Sequence, residues 1–149
     1  MAIYALAPLL PYRQGIMDDN KTIGLGLITR TAPAGVGPTL DKLEVLLRAG
    51  GITVFARIDH AAGAKQVGLT MPPSQVLIFG NPRGGTALML AAPTLAIDLP
   101  FKALAWEDAH GQAWLSFNDP RYLAQRFGLG EEHLRPLAPL VAIIERAIA

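Results

Sequence analysis

The residues best suited to chemistry cluster at Arg57-Ile58-Asp59-His60, where a strand-like run ends just before the small residues Ala61 to Ala64. An imidazole titrates near neutral pH, so His60 is a candidate general acid or base, with Asp59 or Arg57 in support. Adjacent residues of an extended strand point to opposite faces. Asp59 and His60 can therefore share one site only if the strand ends between them. A plainer role is open to both: Asp59 as the cap of a helical turn starting at Ala61, and His60 bonded to a loop carbonyl.

Gly80-Asn81-Pro82-Arg83-Gly84-Gly85-Thr86 is a glycine-rich turn between a strand signal and a helix signal. Such a turn can hold a phosphate at a helix N-terminus, with Arg83 assisting. It has neither the P-loop order nor the dinucleotide fingerprint, and Asn before Pro is ordinary turn chemistry. The candidate ligand-binding set is thus Arg57, His60, Asn81 and Arg83, and the candidate catalytic pair is His60 and Asp59. His60, His110 and His133 are the only histidines, and they are widely spaced in a chain without cysteine, so no metal site is expected. A haem needing a single axial imidazole would look to His60, but no particular cofactor is indicated. Ser74 and Ser116 have no nearby base in sequence and no nucleophile-elbow motif, which speaks against serine catalysis.

The elements that must position these residues follow from periodicity and punctuation. Ile23 to Thr31 reads as a strand with Ile23, Leu25, Leu27 and Thr29 on one face. Pro38 suits a helix start, Leu40, Leu43, Leu46 and Leu47 recur at helical spacing, and Gly50-Gly51 stops that helix. Ile52 to Asp59 is a second strand. A short helical turn follows around Ala61 to Val67, then an apolar run from Gln75 to Phe79 that suits a central strand. Gly84 to Ala91 predicts a helix that is apolar nearly all round and therefore buried. Leu99 to Glu107 and Gln112 to Phe117 predict a hairpin about Asp108-Ala109-His110-Gly111, with Trp106 and Trp114 facing each other. Asp119 and Pro120 open a helix that ends at Gly128. From Pro136 to Ile148, Leu137, Leu140, Val141, Ile144 and Ile148 form one stripe, which packs on its own domain or on a second copy.

Composition bounds the classes. Apolar residues make up 51% of the 149, charged residues 17%, and the net charge is +1. This is a globular chain with a real core, greasy enough to suggest self-association. No basic stripe exists, so nucleic acid is not an expected partner. The apolar N-terminus is broken by Pro8 and Pro11, and no segment reaches the roughly 18 apolar residues of a membrane span. The expected setting is soluble and cytoplasmic.

Several stretches together resemble a known family: Gly51 to His60, Leu77 to Pro82, Leu99-Pro100 leading to Ala105-Trp106-Glu107-Asp108, and Trp114 to Pro120. Over about residues 22–128 the chain is similar to the bacterial and archaeal family called domain of unknown function 302. The resemblance implies a small α+β domain, similar in outline to the TATA-binding-protein fold, in a family whose members are often dimers. It implies no activity. The expected fold is a single α+β domain with a mainly antiparallel sheet of four to five strands and helices on one side. An arm at residues 1–20 precedes it and a helical extension at 129–149 follows. The expected function is a homodimeric small-molecule-binding module with a pocket near His60, self-association running through Leu137, Leu140, Val141 and Ile144. The alternatives are an enzyme using His60 as acid or base, and an assembly protein with no small-molecule site.

Overall fold

A computed structural model describes residues 26–149; the expected N-terminal arm and the start of the first expected strand lie outside the described residues. The order is β1 (Leu27–Thr31), α1 (Val36–Ala49), β2 (Thr53–Asp59), α2 (His60–Gln66), β3 (Ser74–Gly80), α3 (Pro82–Ala91), β4 (Phe101–Glu107), β5 (Ala113–Asn118), α4 (Pro120–Phe127) and α5 (Ala138–Arg146). Short 3-10 turns at Pro93–Asp98, Glu131–His133 and Arg135–Leu137 fill the gaps. The fold is α+β: one open five-stranded sheet in the order β1-β5-β4-β3-β2, antiparallel at every pairing. The first two strands therefore form opposite edges, and α1 crosses the sheet between them.

Leucine spacing explains α1. Leu40, Leu43 and Leu47 fall on one stripe and are fully buried against the sheet, each burial contributing about 1.5–3 kcal/mol. Pro38 lies in the first turn, where N–H groups have no intrahelical acceptor. After Gly50, Gly51 adopts the left-handed φ of 73° that releases the chain toward β2. Leu77 and Phe79 of β3, Ala103 and Ala105 of β4, and Ala113, Leu115 and Phe117 of β5 meet α1 from the sheet. In β1 the core-facing residue is Ile28 rather than its neighbours, since its register partner is Phe117. Thr29 faces the other way and its hydroxyl pairs with Ser116 at 2.8 Å.

One expectation changes and one of two alternatives is met. The helix at 82–91 is apolar nearly all round, yet only Leu88 is buried and Leu90 is 80% exposed, because α3 meets the body along one narrow stripe. The C-terminal stripe packs on its own domain. Leu140, Ile144 and Ala147 join the core under α1, and Leu137 joins a second cluster with Leu88, Leu95 and Leu123. Val141 lies partly buried against the same core. Leu137, Leu140 and Ile144 are thus mostly enclosed within their own domain.

The β4–β5 hairpin forms as its sequence predicts. Trp106 and Trp114 are register partners with ring centroids 6.4 Å apart. The Asp108 carboxylate accepts from the backbone N–H of His110 and Gln112 and from Trp114 Nε1 at 3.0 Å. The Trp114 bond first, and then those two backbone donors, hold the Asp108 carboxyl below its ordinary value, against the opposing effect of burial.

Candidate functional site

Strand β2 is an edge strand whose side chains alternate between the helix-covered face and the open face. Arg57 pairs in register with Leu77, so it points to the helix side. There it donates to Asp41 of α1 at 2.5 Å, to the Gly37 carbonyl at 3.2 Å and to Gln75 Oε1 at 2.9 Å. Gln75 Nε2 in turn donates to Asp59 at 3.2 Å. The guanidinium thus clamps strand to helix. Asp59 caps α2, accepting from the Ala62 N–H at 2.9 Å. Both of its carboxylate oxygens have partners. His60 is the first residue of α2 and is exposed, and its ring has no hydrogen-bond partner among the described residues. Arg57 and Asp59 are joined through Gln75, a residue that motif reading passed over, while His60 forms no ion pair with a carboxylate among the described residues.

Asn81 and Arg83 stand elsewhere. Thr53 pairs with Gly80 and Asp59 with Gln75, so the Asn81 turn lies at the opposite end of β2 from His60. At about 3.3 Å per residue the two ends are roughly 20 Å apart. Asn81 caps α3 by accepting the Arg83 N–H at 3.0 Å. The Arg83 guanidinium makes no hydrogen bond or ion pair among the described residues.

This second place holds a groove. Phe55, Gly80, Asn81, Pro82, Gly85 and Met89 line it, with Ala96, Leu99, Pro100 and Phe101 closing the far wall, leaving about 180 Å³ of open space. Phe55 reaches it because the β2–β3 register shifts between Val54 and Ala56, a bulge that turns Phe55 out of the alternation. The bulge was not legible in sequence: the run Val54-Phe55-Ala56 reads as continuous strand. The lining is apolar apart from the Asn81 amide, whose nitrogen has no partner among the described residues. Apolar walls with one or two oriented polar groups suit binding. No imidazole or carboxylate among the described residues lines the groove. Among the described residues no group of three or more His, Asp or Glu side chains is close enough to hold a metal ion.

A small α+β domain with an open antiparallel sheet and a shallow apolar groove defines the structural class. The chain belongs to the family described as "Domain of unknown function DUF302", whose model matches residues 28–148. The match takes in α5, which the motif resemblance left outside. The crystal structure of an uncharacterized conserved DUF302 protein from Bacillus stearothermophilus superposes with a TM-score of 0.69. It covers 83% of this chain and 96% of that one at 17% identity, a likeness of fold. Two curated relatives are each named "Fluoride-specific ion channel FluC 1", from Brucella suis biovar 1 and Brucella abortus biovar 1. Each is 47% identical over 108 residues, 72% of this chain, and the chain spans only 42% and 40% of their lengths. No helix among the described residues is long and apolar enough to cross a membrane.

Proposed function

We propose that this chain is a small-molecule-binding module whose ligand lies in the groove at the Asn81 turn. The observation that carries this reading is the groove itself: about 180 Å³ of apolar-walled space with a single side-chain amide on its lip. A space near 150 Å³ is the size that accepts a benzene ring. Arg83, in the first turn of α3 and without a side-chain partner among the described residues, adds a positive charge to that turn, which favours a carboxylate on the ring. The ligand class is therefore a small aromatic or short-chain acid.

Gly85 offers the test. A Cβ added there would meet nothing within 4 Å, so Gly85→Leu can start a side chain into the groove without disturbing the backbone around it. It also removes a glycine from a helix, which favours the folded state by about 0.5–1 kcal/mol. With benzoate as the probe, chemical-shift changes are expected at Phe55, Gly80, Asn81 and Met89. Gly85→Leu is expected to weaken them at least tenfold with no loss of thermal stability. Shifts centred on His60, or an unaffected Gly85→Leu protein, would overturn the reading.

A second reading rests on the curated relatives. Their names say that the whole proteins are fluoride-specific channels, and the segment similar to this chain is a minor part of each. We therefore also propose that this chain acts as an accessory to a membrane protein of that kind. Its purified form should co-sediment with vesicles bearing the remainder of such a relative and not with empty vesicles. Equal recovery from both would discard the idea.

A further inference from the structure

We infer that the guest of the Asn81 groove is a flat aromatic carboxylate, taken edge-on over Gly80 between Phe55 and Pro100, and that saturated acids of equal size are refused. This deepens the groove reading and rests on it.

The slot begins with a missing side chain. Leu77 and Phe79 of β3 point into the core, so by strand alternation Ile78 and Gly80 face the other side. Gly80 is the last residue of β3 and has no left-handed φ that would demand glycine. A strand glycine without that demand marks a place where something approaches the backbone closely. Among the described residues no backbone does so. A Cβ built at Gly80 would meet only Phe55 Cε2 at 3.5 Å and Pro100 Cβ at 3.7 Å. Gly85 repeats the pattern from α3. It has no left-handed φ, is a poorer helix former than alanine, and has nothing within 4 Å of its Cβ position. Two bare stretches of backbone thus line one space of about 180 Å³.

Wall spacing sets the shape of the guest. Both wall atoms lie at contact distance from one point, so over Gly80 they stand no more than roughly 7 Å apart. A guest one atom thick that touches both walls needs a carbon–carbon contact of roughly 3.5–4.0 Å on each side. A planar ring fits that gap, and a puckered ring, thickened by its axial hydrogens, does not. The walls also suit a π-face. Phe55 is 53% exposed, so part of its ring is uncovered, and aromatic pairs attract beyond the area they bury.

Asn81 selects the polar end. Its Oδ1 accepts the Arg83 N–H at 3.0 Å. The cap therefore sets the orientation of the amide and leaves Nδ2 as the donor beside the groove. A donor there calls for an acceptor on the guest, which a carboxylate supplies and an ammonium does not. The Arg83 charge in the same turn favours the ionised acid.

Benzoate and cyclohexanecarboxylate share charge and carbon count, so titrating both against the full chain by NMR separates shape from charge. Benzoate should bind tighter by about tenfold or more. Equal affinities overturn the slot and leave the groove reading standing, whereas no shifts from either acid overturn both. Gly80→Ala places a methyl at ordinary contact distance from both walls. That variant should fold and keep its melting temperature while benzoate affinity falls by about tenfold or more; unchanged affinity overturns the inference. Should it not fold, the two-acid comparison on the wild type decides. Asn81→Asp keeps the cap, since a carboxylate accepts the same N–H, but turns the donor beside the groove into an acceptor. Benzoate affinity should again drop, and its retention overturns the carboxylate assignment.

Discussion

At the scale of single residues, capping and clamping account for most of the polar side chains singled out by the sequence. Asp119 shows the energetics. Its carboxylate accepts the Arg121 N–H at 2.9 Å and a guanidinium bond from the same residue at 2.8 Å. Chiefly through that side-chain bond, Arg121 holds the Asp119 carboxyl below 3.8. The folded chain thus binds this proton less readily than the unfolded one. The stabilisation is complete above pH 3.8 and fades as pH falls through the lowered folded value. Asp119→Ala should cost about 1 kcal/mol at neutral pH in urea melts, and the difference from wild type should shrink in acid. Arg57→Ala removes only partly exposed pairs, so a change of about 0.5–1 kcal/mol is expected. Benzoate shifts at the groove should be unaffected by it; if they vanish, the clamp also shapes the ligand site.

At the scale of elements, the C-terminal helix is the clearest case. Its stripe was visible in sequence, but a stripe has no address. Leu140 and Ile144 meet the core beneath α1, and Arg30 of β1 reaches Glu145 at 3.5 Å. Deleting residues 136–149 should therefore unfold or markedly destabilise the monomer, visible as a lowered melting temperature. A truncated chain that melts as the full one does would show that α5 is dispensable to the core. Within α1, Leu43→Ala should cost about 2–5 kcal/mol, since the site is fully buried between helix and sheet. A denaturation midpoint near wild type would mean that the core collapses into the space.

At the scale of the whole molecule, one face of the sheet receives α1 and α5, while the Asn81 end receives α3 and α4. The far end carries α2, which packs on β3 without burying any of its residues. This polarity places the ligand groove at the Phe55 end of β2 and α2 at the Asp59 end. Lys65→Ala in α2 should therefore leave benzoate affinity within error of wild type, and a tenfold change would show coupling between the two ends.

The strands, the helices and most caps were readable from residue order because they depend on local rules: leucine spacing in α1, Asp119 before Pro120, glycine after α1 and α4. The hairpin pair Trp106 and Trp114 was readable for the same reason, a short turn setting the register. The groove was not. It needs Phe55 turned out by a bulge, the Gly80 end of β3, one side of α3 and the Leu99–Pro100 segment to meet, and no short window of sequence holds them all. Residue types alone singled out Arg57, Asp59, Asn81 and Arg83, but only the register of β2 on β3 placed the first two at one end of the strand and the last two at the other. Local propensity follows from a residue and its neighbours; proximity between distant segments follows from packing, which the linear chain does not display.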